Sequence, residues 1–88
     1  MDREDIIRQL KDYIRVTLLR SPSYPLEENE PLITGGLIDS FSLVQLSAFI
    51  EEAFDVRIPD SELTVEVMDT LEAMADCVIR YKESGKEG

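Results

Sequence analysis

Apolar residues recur at intervals of three and four in three separate stretches, and nowhere do apolar and polar residues alternate as a half-buried strand requires. Ile7, Leu10, Ile14 and Leu18 form the first stripe, with Ile6 and Tyr13 beside it. Leu43, Leu46, Ile50 and Phe54 form the second, broadened by Val44, Phe49 and Ala53. Leu71, Met74, Ala75, Val78 and Ile79 form the third. Each stripe gives a helix one face that must leave water. Three such faces in one short chain can be buried only against each other. The spacing predicts helices over residues 2–19, 40–54 and from the "DTLE" at 69–72 to about Tyr81. A brief irregular helix is expected within 60–68, after the extended link "FDVRI" and Pro59. The expected fold is all-α: a small four-helix bundle with three longer helices, one short one and a long first loop.

Helix-end signals sharpen this reading. Asp2 can cap the first helix, and Glu4 and Asp5 suit its positive end. In "DTLE", Asp69 and Glu72 have the spacing of a capping box, Asp69 reaching forward and Glu72 back. Residues 20–38 hold Pro22, Pro25 and Pro31, then Gly35 and Gly36, and oppose a regular helix. A connection of about nineteen residues is long for a compact domain and needs anchoring. Leu26, Leu32, Leu37 and Ile38 are the expected anchors. The glycines are read as an ordinary turn, with positive φ or close packing as the other uses of glycine. The polar "KESGKEG" is expected to fray. The chain is thus read as one domain over 1–82 with a polar tail over 83–88.

Composition narrows the chemistry. There is no histidine among the 88 residues, which removes a Ser-His-Asp triad, a Cys-His pair and His-bound metal. The single cysteine, Cys77, lies in an apolar helical pattern and reads as a small core residue. The net charge is −10, and thirteen acidic side chains fall within residues 27–76 against one basic one, Arg57. Nucleic acid and anionic membranes are poor partners for such a chain, whereas a basic protein surface is its complement. No apolar run approaches the roughly 20 residues of a membrane helix, and the charged start "MDREDIIRQL" lacks a signal-peptide core. The expectation is a soluble, cytoplasmic monomer.

The stretch "GGLIDSFSLVQL", Gly35 to Leu46, places Asp39 and Ser40 at the mouth of the second helix. Three uses of Ser40 stay open on local pattern: a helix cap, a nucleophile, or a point of attachment. A nucleophile lacks its usual base here. A helix start favours a phosphate ester through its free N–H groups and partial positive charge.

This stretch resembles the attachment motif of the acyl carrier protein family, and the likeness continues through "FIEEAFDVRIPDSEL" and "DTLEAMADCVIRY" over residues 3–81. The resemblance implies that Ser40 receives a 4′-phosphopantetheine arm from coenzyme A, attached by a separate phosphopantetheinyl transferase. The arm's thiol then carries acyl groups as thioesters to partner enzymes, so the chain itself is not an enzyme. Asp39 corresponds to the family's acid before the serine and would help the transferase dock. Phe41, where the family usually has Leu or Met, would lie beside the arm and touch partners. Glu51 and Glu52 correspond to acids that would meet basic docking patches on acyl-loading and acyl-accepting enzymes.

One departure stands out: Ser42, Gln45 and Ala48 occupy turns where acids or a methionine are common in carriers of housekeeping fatty-acid synthesis. This favours a specialised carrier, in a lipid or polyketide-type pathway. An aminoacyl or peptidyl carrier with the same arm is the near alternative. An acidic helical interaction module without an arm, in which Ser40 is only a cap, is the alternative of another class.

Overall fold

The computed structural model describes residues 2–85, with the side chains of residues 84 and 85 left aside. Four α-helices follow one another: α1 Arg3–Tyr13, α2 Ser42–Phe54, α3 Val65–Met68 and α4 Leu71–Gly85. Among the described residues there is no strand. α1 packs chiefly on α4, and α3 leads into α4 and packs against it.

The apolar stripes become the core as expected. Ile6, Ile7, Leu10 and Ile14 from the first stripe, Leu46, Ile50 and Phe54 from the second, and Leu71, Met74, Ala75 and Val78 from the third are all buried. No polar or charged residue among those described is buried with them. Cys77 is fully enclosed, and burial pushes its thiol pKa up, as expected for a core residue. Val44 departs from the expectation. It is 72% exposed, because α2 turns Leu43 and Leu46 inward and leaves Val44 on the solvent side.

Asp2 caps α1, its carboxylate accepting the Asp5 N–H at 3.0 Å. The helical course continues to Leu18, but as a π-turn over Ile14–Leu18 in which the Leu19 N–H reaches the Ile14 carbonyl. Arg20, with φ at 54°, ends the run in a left-handed conformation. At the far end of α2, Asp55 also adopts a left-handed conformation, and the Lys82 ammonium donates to the Phe54 carbonyl at 2.9 Å. Glu62, on a 3-10 turn over Asp60–Glu62, accepts from both Arg80 and the Tyr81 hydroxyl, tying that turn to α4.

Three helix boundaries need correction. α2 begins at Ser42, so Ser40 and Phe41 lie in the turn before it and not in its first turn. α4 runs to Gly85, past the expected end at Tyr81, and residues 86–88 of the expected frayed tail lie outside the described residues. The capping box at 69–72 does not form. Thr70 caps α4, its hydroxyl accepting the Ala73 N–H at 3.0 Å, while the Glu72 N–H donates to the Glu28 carbonyl. Asp69 turns away from α4 altogether, towards the long loop.

That loop is pinned as its composition suggests. Leu26, Leu32 and Ile38 are buried, and Leu37 packs half-buried against the core. The two glycines turn out to be required for different reasons. Gly36 has φ at +84°, a region L-residues rarely enter. A Cβ on Gly35 would sit 2.2 Å from the Pro31 carbonyl oxygen.

Candidate functional site

Ser40 stands exposed at the edge of a cleft of about 580 Å³, walled by Leu18, Ile33, Leu37 and Ile38 and edged by Ser42. The π-turn carries Leu18 into this wall. Among the described residues nothing hydrogen-bonds the Ser40 hydroxyl. Its backbone carbonyl accepts the Leu43 N–H at 3.2 Å.

The neighbouring acid does the capping instead. The Asp39 carboxylate accepts the Ser42 N–H at 3.2 Å and the Ser42 hydroxyl at 3.4 Å, and the Asp39 carbonyl accepts the same N–H at 3.1 Å. This satisfies donors that a helix start leaves open. It also leaves Ser40 Oγ without a structural task. A serine oxygen, in the open and beside the positive end of α2, suits a phosphate ester. The cleft beside it combines the apolar Leu18, Ile33, Leu37 and Ile38 with the polar Asp39, Ser40 and Ser42. These residues therefore fit a phosphate-linked arm.

Phe41 follows Ser40 and is 84% exposed, an unusual position for a ring. With Val44 and Ala48 it gives α2 an uncharged outer face, which Glu52 closes. Glu51 and Glu52 lie about 15 Å further along the helix, at about 1.5 Å per residue, so they do not belong to the cleft. Their situations differ. Glu51 is half-buried, and its carboxylate accepts the Ile58 N–H at 3.1 Å, which ties the link after α2 back to the helix. Glu52 is exposed beside a groove of about 420 Å³ between α1 and α2, walled by Tyr13, Ala48, Phe49 and Ala53. Tyr13 and Phe49 stack there with ring centroids 4.2 Å apart. Among the described residues no group of three or more His, Cys, Asp or Glu side chains is placed to hold a metal ion.

Sequence reasoning missed Asp69 as part of this neighbourhood. Its Oδ1 accepts the Ile33 N–H at 2.7 Å and the Thr34 N–H at 3.0 Å, and its Oδ2 accepts the Thr34 hydroxyl at 2.7 Å. Its main-chain carbonyl accepts the Leu32 N–H at 2.6 Å. Partial burial would raise this carboxyl's pKa, but the bonds from Thr34, Ile33 and Leu32 outweigh it and hold it below the ordinary value. The signal that could have exposed it is the loop itself. A buried Leu32 between turn residues needs an acceptor for its backbone N–H.

The bundle thus holds Ser40 exposed at the mouth of α2, with no hydrogen-bond partner for its hydroxyl among the described residues. The family model described as the phosphopantetheine attachment site matches residues 7–78, and the chain belongs to that family. Its members hold 4′-phosphopantetheine covalently and carry it without catalysing a reaction themselves. Such carrier domains work with a phosphopantetheinyl transferase and with partner enzymes. A search of curated proteins finds no match to the chain. No helix among the described residues is long and apolar enough to cross a membrane.

Proposed function

We propose that Ser40 is the residue that bears the arm, and that the loaded chain carries acyl groups in a specialised lipid or polyketide-type pathway. The observation that carries this reading is the division between two neighbours: Asp39 caps α2 and Ser40 Oγ stands exposed with no hydrogen-bond partner among the described residues. Ser40 Oγ forms the ester bond to phosphorus, coenzyme A being the donor and its nucleotide half leaving. The Ser40 proton passes to a base on the transferase, since the chain has no histidine to take it. When bound, the arm supplies a thiol that holds cargo as a thioester.

Asp39, Phe41, Glu51 and Glu52 are the proposed partner contacts, with unequal parts. Phe41 and Val44 offer apolar surface next to the arm, Glu52 offers an exposed charge, and Asp39 and Glu51 each divide their carboxylates between the fold and a partner. The matching surface is an apolar patch with a basic residue some 15 Å away. The chain is proposed to work as a monomer.

The uncharged face of α2 favours a second reading, an aminoacyl or peptidyl carrier with the same arm. Offering the holo chain to acyl-activating and to amino-acid-activating enzymes separates the two. The primary test is intact mass after incubation with coenzyme A, magnesium and a broad-specificity transferase. A gain of one phosphopantetheine on the native chain, absent from Ser40→Ala, is expected. A gain that persists in Ser40→Ala refutes the assignment.

A further inference from the structure

Among the described residues the Ser40 hydroxyl has no hydrogen-bond partner, so its position is set by the backbone on either side. On the α2 side the turn is short and capped by Asp39. On the loop side it runs through a chain of hydrogen bonds that starts at Asp69. Leu32, Ile33 and Thr34 donate to Asp69. The Leu32 carbonyl in turn accepts the Leu37 N–H at 2.9 Å and the Ile38 N–H at 3.0 Å, and the Gly36 N–H closes on the Ile33 carbonyl at 3.1 Å. Ile38 is followed at once by Asp39 and Ser40. One carboxylate thus closes a segment from 35 and 36 residues away in sequence, at the corner between α3 and α4.

From this geometry we infer that Asp69 is a positioning residue for the modification of Ser40: it latches the 32–38 turn in the one conformation that presents the hydroxyl to the transferase. The inference rests on Ser40 being the attachment residue. Asp69 does not itself line the cleft, and among the described residues no hydrogen bond joins it to Ser40, so its effect passes through the loop. The fold does not need this latch to bury its core, because Leu26, Leu32 and Ile38 already anchor the loop by apolar contact. What three side-chain bonds add is a single conformation where apolar anchoring alone leaves several. If only a fraction of molecules presents the turn correctly, apparent affinity falls by that fraction and the chemical step does not.

The test is the kinetics of phosphopantetheine transfer to the apo chain, with coenzyme A, magnesium and one transferase, for the native chain and for Asp69→Ala, Asp69→Asn and Thr34→Val. Measurements are made where circular dichroism shows each variant folded. Asp69→Ala should raise KM for the apo chain about tenfold and change kcat by less than about twofold, as for a latched population falling to about one tenth. Asn should recover most of the loss, since its amide oxygen still accepts the two backbone N–H groups and its NH₂ can donate to Thr34 Oγ1. Thr34→Val, which removes one bond, should raise KM about threefold and keeps the test available if Asp69→Ala does not fold. Hydrogen exchange gives a readout without the transferase: Leu37 and Ile38 amides should exchange faster in Asp69→Ala, with Leu46 and Ile50 in α2 unchanged. A folded Asp69→Ala with native KM, or with native exchange at Leu37 and Ile38, overturns the latch and leaves Ser40 as the attachment residue. No transfer to the native chain, where another carrier is modified, overturns both.

Discussion

Replacing Ser40 with alanine removes one hydroxyl that is exposed and hydrogen-bonded to nothing among the described residues, whereas replacing Asp39 removes the acceptor that caps α2. The two substitutions are adjacent but should differ sharply in folding. An exposed side chain without partners contributes within about 0.5 kcal/mol. Loss of an Asp cap costs about 1 kcal/mol, within a range of about 0.5–2. For a chain of this size, 1 kcal/mol corresponds to roughly 4–8 °C in Tm. Ser40→Ala should therefore melt within about 3 °C of the native chain, and Asp39→Ala about 4–8 °C below it. Urea denaturation followed by circular dichroism gives both free energies, with a shared m-value as the check that neither variant has changed its unfolded state. A loss above 1 kcal/mol in Ser40→Ala would mean that the hydroxyl holds the turn. That outcome would return Ser40 to the role of a cap and give the armless interaction module its main support.

Gly35→Ala should destabilise by about 1–3 kcal/mol, because its Cβ would sit 2.2 Å from the Pro31 carbonyl oxygen and backbone must move; an unchanged urea midpoint would show that the loop gives way freely. Asp69 should make part of the stability depend on pH. Its folded pKa is depressed, so the contribution is fully present above the unfolded carboxylate value of about 3.9 and is lost as the pH falls through the lower folded value. The stability gap between the native chain and Asp69→Asn should then narrow across that acid window, and a gap that stays constant refutes it. Among the described residues, only Glu62 and Asp76 of the thirteen acids in 27–76 form ion pairs, so repulsion among the others should be relieved by salt. Raising sodium chloride from about 10 mM to about 500 mM should raise Tm, since the Debye length falls well below 10 Å; a flat response counts against the idea.

Most of the fold was legible because helical periodicity is a local signal. Leu10, Ile14, Leu46, Ile50, Met74 and Val78 each occupy a stripe position and each is buried. The anchors of the loop were legible too, since four apolar residues in a Pro- and Gly-rich segment have nowhere else to go. What failed did so where partners are distant or two local answers compete. Asp69 and Thr70 are both good N-caps, and local pattern does not choose between them. The choice is made by Ile33 and Thr34, whose donors claim the Asp69 carboxylate across the fold. Asp39 and Ser40 posed the same ambiguity, and the bond from the Ser42 N–H to the Asp39 carboxylate resolved it. Val44 shows the limit of a broad stripe, because its edge residues can face either way. The π-turn at Ile14–Leu18 is invisible to a pattern that assumes an unbroken α-helix.

The unpaired acids also bear on how copies of this chain behave towards each other. Each molecule carries a net charge of −10, and its acids are concentrated in residues 27–76, the segment that includes Ser40. Two such molecules repel before they touch. In a concentrated pool the molecules are therefore held apart, and under the proposed function so are the thioesters and thiols on their arms. The charge that weakens the fold slightly thus serves as colloidal spacing between copies.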